Sequence, residues 1–360
     1  MRFRAIWFIL VAVVSPAPAT EPSDWLLEIT FRGRKIEGKP VAWNPAQVVL
    51  LGRDGRLWAF PPEEAVDFRK VSDRFQPYSP SEFRAILLRE LGDGYDVSGT
   101  GHYLVAHPAG QRDHWAGRFE ELYRAFVRHF AVRGFPPREP PYPLIGIVCR
   151  NQREFVRYAA GQGIAAGPGV LGCYANESNR IVLFDAGGGA SRAADWRQNA
   201  SVVLHEATHQ VAFNTGIHSR LAPPPVWLAE GLAMLFEAPG VWNSNEATRP
   251  NSRINQVRLA DFKTLVEPRH RPELLSDLIG RDRWFQTDPQ AAYAEAWAFT
   301  FFLNEAHPRQ YAEYLARIVR RPPLEPYTAA QRTSDFTIVF GENWRLLEAR
   351  FLRFMNEVQR

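Results

Sequence analysis

Between Ser201 and Gly231 the chain reads SVVLHEATHQVAFNTGIHSRLAPPPVWLAEG. His205 and His209 are four residues apart, so on a helix they share a face and both imidazoles reach one cation. Glu206 lies beside them with no place in that pair. Two histidines at this spacing, with an adjacent glutamate free to act as a base, give the zinc geometry of a metallohydrolase. A catalytic zinc takes three protein ligands and keeps one position open for water. A third histidine six residues after His209 would complete one version of such a site, but that position is Thr215 and no glycine stands at Ala212. His218 is the nearest downstream histidine and falls beyond the break at Asn214-Thr215-Gly216. Glu230 is the better third ligand. Twenty residues separate it from His209, enough for a turn and a second helix running back. The plainer alternatives are two satisfied histidines on a core helix and a glutamate on a helix surface.

The elements that must position these residues are readable in outline. Val202, Val203, Leu204 and Ala207 suit a buried helix, expected over Asp195–Phe213 and ended by Asn214-Thr215-Gly216. Pro225 suits the first turn of a helix running to Phe236, with Trp227, Leu228, Leu232 and Leu235 on its buried side. Upstream, Pro143–Cys149 reads as a buried strand, Gln152–Ala160 as a helix, and Val170–Tyr174 and Arg180–Phe184 as strands. The glycine-rich stretch Gly161–Gly169 has no Lys-Ser/Thr after it and opens no helix, which argues against a phosphate cradle. Gly187–Gly189 reads as a linker. His114–Arg133 has a helical stripe of Trp115, Phe119, Leu122, Tyr123, Phe126 and Phe130, with His114 and His129 read as facing solvent. A short helix opens at Ser79, and a hairpin pairs Tyr95–Ser98 with His102–His107. Downstream, Ile254–Leu265, Pro272–Leu278, Ala291–Ala306, Pro308–Val319 and Asn343–Met355 read as helices.

The first residues read as an address. A basic start (Arg2, Arg4), the apolar run Ala5–Val14 and Ala17-Pro18-Ala19 predict a signal peptide over 1–19 and an exported protein, with no membrane span after its removal. Residues 20–92 then read as a small β-rich domain, with runs at Trp25–Phe31 and Gln47–Leu51 and a turn at Asp54-Gly55. Its role is open: a structural or partner-binding module. Without the leader's two arginines, 41 basic residues face 39 acidic ones, too even a balance for a nucleic-acid binder. An oxidising compartment would favour pairing Cys149 with Cys173. Closing that loop of 23 residues would stabilise the fold by about 3 kcal/mol; two buried free thiols are the alternative.

HEATH followed by WLAEG resembles the gluzincins, the HExxH…E zinc metallopeptidases of the peptidase MA clan. Aminopeptidase N-like enzymes carry a similar WLxEG element. The layout over roughly 95–355 is most similar to an exported bacterial family, domain of unknown function 1570. The resemblance implies an α+β, zincin-like catalytic domain over 93–360: a mixed sheet with an active-site helix, zinc helices within 195–238, and a mostly helical part over 252–360. It implies Zn2+ held by His205, His209 and Glu230, with Glu206 as general base toward a peptide or protein substrate. Tyr293, heading YAEAWAFTFFL, is open to two roles: an oxyanion donor by likeness to a tyrosine in those enzymes, or an aromatic anchor in the core. Thermolysin-like enzymes place an aspartate four residues after the zinc glutamate, but Met234 stands there. Some other group must therefore orient His205; Glu237, two turns beyond Glu230, is a candidate, with a solvated helix-end glutamate as the favoured reading of it. No GAMEN-like segment is present, which favours an endopeptidase. The resemblance also implies a substrate strand laid on a sheet edge, for which Arg180–Phe184 is the candidate. A zinc-binding module without hydrolytic activity and an amidase acting on cell-wall material are the alternative functions. Oligomeric state is not legible.

Overall fold

Alternating short runs build two separate five-stranded sheets. The structure, a computed structural model, describes residues 24–110, 115–167, 169–185, 195–243, 245–249, 251–271 and 273–358. The leader, the glycine run at 187–189 and His114 lie outside them.

The chain divides into two compact units, one drawn from residues up to Gly52 with Trp58–Gln76, the other from Arg53–Leu57 with Pro77 onward. In the first, β1 (Leu26–Phe31), β2 (Arg34–Asn44), β3 (Gln47–Gly52), β4 (Leu57–Phe60) and β5 (Ala65–Ser72) form a sheet in the order β4-β3-β2-β1-β5. The β1–β2 turn has both central residues left-handed, Arg32 at φ 47° and Gly33 at φ 74°, as a two-residue hairpin requires. Ile29, Ile36, Leu50 and Phe60 make its core. β2 and β5 escaped the sequence reading. β2 carries Gly38 and Pro40, and β5 is exposed along most of its length, so neither shows the alternation by which a strand is recognised.

The second unit holds β6 (Tyr95–Gly99), β7 (Tyr103–Pro108), β8 (Leu144–Cys149), β9 (Gly172–Ala175) and β10 (Arg180–Phe184), in the order β6-β7-β8-β10-β9. The inner three strands are parallel and the outer two antiparallel to their neighbours. Side chains alternate across this sheet. Tyr103, Val105, Leu144, Val148, Ile181 and Leu183 face α2 (Ala116–Ala131) and the helices that follow the sheet. Leu104, Ala106, Ile145, Ile147 and Val182 face Phe83 and Leu87 of α1 (Pro80–Leu91) and Phe155 and Ala159 of α3 (Gln152–Gly161). Thus α1, expected within 20–92, packs in the second unit's core. After the sheet come α4 (Asp195–Asn214), α5 (Val226–Phe236), α6 (Pro239–Trp242), α7 (Gln256–Asp261), α8 (Glu273–Gly280), α9 (Trp284–Thr287), α10 (Pro289–Ala306), α11 (Pro308–Val319), α12 (Ala329–Phe340) and α13 (Trp344–Glu357). α7 continues through a π-helical turn at Phe262–Val266. The fold is α+β, two sheets followed by a mostly helical part. No helix among the described residues is long and apolar enough to cross a membrane.

Three expectations are corrected here. Arg180–Phe184 is an inner strand, because β9 pairs along its outer side; the edge next to α4 is β9. Cys149 and Cys173 are free. They sit on strands that flank β10, opposite Phe184 and Val182. Two strands on either side of a third are about 10 Å apart, beyond a disulfide's Cα reach of about 4.4–6.8 Å. Burial pushes both thiols up to about 12, so they are inert as nucleophiles. His129 does not face solvent: it is buried, and its Nε2–H donates to Asn304 Oδ1 at 3.0 Å.

Candidate metal centre

α4 presents two kinds of face. Val203, Leu204, Ala207 and Val211 enter the core, while His205 and Glu206 stay partly open and His209 is buried to 9% exposure. The helix ends where Gly216 turns left-handed at φ 82°, and His218 N–H closes the turn on Ala212 O at 2.9 Å. α5 starts behind Pro225 and packs on both α4 and α10. The glycine of WLAEG makes the α5–α10 approach possible. A Cβ on Gly231 would lie 2.1 Å from Thr300 Oγ1 and 2.6 Å from Ala296 O. The second of these is backbone and cannot rotate away. Gly231→Ala therefore gains about 1 kcal/mol of helix propensity but loses more to overpacking of about 1–3 kcal/mol. Chemical denaturation should show a net loss, and an unchanged midpoint would refute the close approach.

That approach sets Glu230 opposite the two histidines. His205 Nε2 and His209 Nε2 are 3.2 Å apart, and Glu230 places Oε2 3.3 Å from the first and Oε1 3.5 Å from the second. Donors about 2.0–2.1 Å from a tetrahedral zinc are about 3.3 Å from one another, so these three have the spacing of one coordination face. They are also the one group of its kind, with ligand atoms within 4.8 Å of each other, among the described residues. The protonation pattern gives the same answer. His205 Nδ1–H donates to Glu237 Oε1 at 2.8 Å, which leaves Nε2 as a lone pair in the neutral ring. The His205 lone pair then faces the Glu230 carboxylate at 3.3 Å, and the two need a positive charge between them. Without a cation, a proton on His205 supplies it. Burial alone would lower this imidazole's pKa, but the hydrogen bonds to Glu230 and Glu237 and the charge of Glu206 raise it well above the usual value. Burial likewise opposes the charge on Glu230, yet the His209 charge and the bonds from both histidines hold it well below the usual carboxylate range.

Glu237, which the sequence offered as a candidate but favoured as a solvated helix end, is the group at His205 Nδ1. Its side chain is only 15% exposed, and Asn255 Nδ2 donates to its second oxygen at 2.8 Å. Two turns beyond Glu230, it occupies the orienting role that Met234 cannot fill. The signal was its helical phase: positions 230 and 237 share a face. Removing a carboxylate that fixes a metal-binding histidine typically costs about 10–100-fold in metal affinity. Glu237→Ala should show that loss in competition with a chromophoric chelator, with Glu237→Gln losing less. Unchanged affinity in Glu237→Ala would end the orienting role.

Residues 199–325 match the family model described as "Protein of unknown function (DUF1570)". The matched segment contains His205, Glu206, His209, Glu230, Glu237 and Tyr293, and so takes in the whole donor set and the helix behind it. No curated protein matches the chain.

Glu206 and Tyr293 complete the surroundings. Glu206 Oε2 accepts the backbone N–H of Tyr174 on β9 at 2.7 Å, so the sheet edge holds the carboxylate beside the donor set. Tyr293 is partly buried, with the Phe285 ring edge-on at 5.3 Å. Burial, then the charges of Glu230 and Glu206, push its hydroxyl up to about 12, so it keeps its proton at neutral pH. His218 stays outside the donor set. It is 3% exposed, both ring nitrogens lack partners among the described residues, and burial with the His209 charge pushes it down to about 3.

Proposed function

We propose that this protein is an exported, zinc-dependent endopeptidase of the gluzincin type. The observation that carries this reading is the convergence of His205, His209 and Glu230 at 3.2–3.5 Å with Glu206 alongside. A divalent cation there supplies Lewis-acid polarisation of a carbonyl and a lowered pKa for water. His205, His209 and Glu230 hold it, and Glu237 fixes the His205 tautomer. Glu206 takes a proton from the attacking water as its oxygen adds to the peptide carbonyl carbon, then delivers that proton to the leaving nitrogen as the C–N bond breaks. Tyr293 donates its hydroxyl hydrogen to the oxygen where negative charge develops. β9 is the sheet edge beside α4, and an extended peptide adds along it as a further strand, next to the Tyr174 N–H that Glu206 holds. Digestion of a peptide library with and without chelator tests the reading. Chelator-sensitive cleavage that returns with added zinc supports it; no cleavage, or cleavage indifferent to chelator, rejects it.

A further inference from the structure

Asn255 ties the start of α7 to the metal centre. Its side chain donates to Glu237 and accepts the Arg258 N–H at 3.3 Å as the cap of α7. Arg258 therefore stands one turn along from the Glu237 contact. Its guanidinium carbon lies 5.8 Å from the Tyr293 ring centroid. Tyr293 precedes Ala296 and Thr300, the residues that meet α5 at Gly231, by one and two turns of α10, so it shares their face next to Glu230.

This guanidinium is underused. Its one acceptor among the described residues is Asp261 Oδ2 at a long 3.4 Å, and Asp261 also accepts from Gln290 at 3.1 Å. The Arg258 Nε–H is buried and meets no acceptor among the described residues. The side chain is 26% exposed, so the rest of the fork is reachable from solvent. A guanidinium carries five N–H donors in a plane that matches a carboxylate two at a time. The acidic groups at the centre, Glu206, Glu230 and Glu237, repel a carboxylate, and Asp261 is the acid that faces Arg258 itself. Arg258 is the group placed to attract one.

We propose that Arg258 recognises a carboxylate of the bound peptide, either an acidic side chain or the chain's C-terminus. The inference rests on the reading that a peptide enters this groove. It makes Arg258 a specificity-determining residue and the preferred substrates acidic near the cleaved bond or close to their C-terminal end.

The test uses the zinc-loaded Glu206→Gln protein, so that binding is read without cleavage. Fluorescent peptides are compared in four forms: internal Glu or Gln, each with a free or amidated C-terminus. One of the two acid-to-amide changes should weaken binding on the order of tenfold, as for a charge-assisted pair, and the change that does so identifies the source of the carboxylate. Adding Arg258→Gln should abolish the difference, and Arg258→Lys should restore part of it. The acid preference should also shrink with rising salt in the Arg258 protein, a readout that stands even if Arg258→Gln folds poorly. Equal binding of acid and amide forms, absence of binding by any form, or an acid preference that survives Arg258→Gln overturns the proposal. The two readings fail separately: wild-type protein that binds with acid preference yet cleaves nothing refutes hydrolysis, while cleavage without acid preference refutes the role of Arg258.

Discussion

Glu206→Gln should keep its metal and lose hydrolysis on the order of 100- to 10,000-fold, the range in which a positioned general base contributes. The substitution is close to isosteric. The amide oxygen can still accept the Tyr174 N–H that Glu206 Oε2 now holds at 2.7 Å, so β9 and α4 keep their spacing. What disappears is the ability to take a proton from water and return it to the leaving nitrogen. Glu206 is outside the donor set, so zinc content should match wild type. Elemental analysis beside a peptide-cleavage rate reads both. A zinc-loaded Glu206→Gln protein that cleaves at the wild-type rate would remove Glu206 from the chemistry.

Glu230→Ala should lose metal more severely than any change at Glu237, by well over the 10–100-fold typical of an orienting residue. It removes one of three donors and the carboxylate charge that faces both histidines at 3.3 and 3.5 Å. His205 and His209 would then have to balance two converging lone pairs alone. Glu230→Gln keeps a carbonyl oxygen at the same place without the charge and should fall between. Chelator competition ranks the three proteins. Equal affinity in Glu230→Ala and wild type would move the third ligand elsewhere.

The parts of this centre that were legible in the sequence are those fixed by local periodicity. His205 and His209 at i and i+4 can hardly avoid sharing a face once α4 forms, and the apolar neighbours of α4 and α5 announce two buried helices. Glu230 was reachable because a short connection must bring the second helix back beside the first. Glu237 was only a candidate by its helical phase, since its contact with His205 depends on how α4 and α5 cross. No local rule marks a helix-end glutamate as buried. Arg258 lies behind a further loop, and its link to the centre runs through Asn255. The order of β9 and β10 was hidden for a related reason. Both are short apolar runs, and the sequence does not say which is the outer one. An oxidising compartment left a bridge between Cys149 and Cys173 open beside two free thiols, and sequence separation carries no information about an intervening strand. The exposed β5 and the Gly/Pro-bearing β2 owe their strand form to the neighbours they pair with.

The centre itself is most directly tested by metal content. Purified wild-type protein, dialysed against metal-free buffer, should retain about one zinc per chain, held by three protein donors with the fourth position left to water. His205→Ala and Glu230→Ala, shown folded by circular dichroism, should retain little. Wild-type protein that holds no metal even after incubation with zinc, or variants that hold as much as wild type, would contradict a metal centre built from His205, His209 and Glu230.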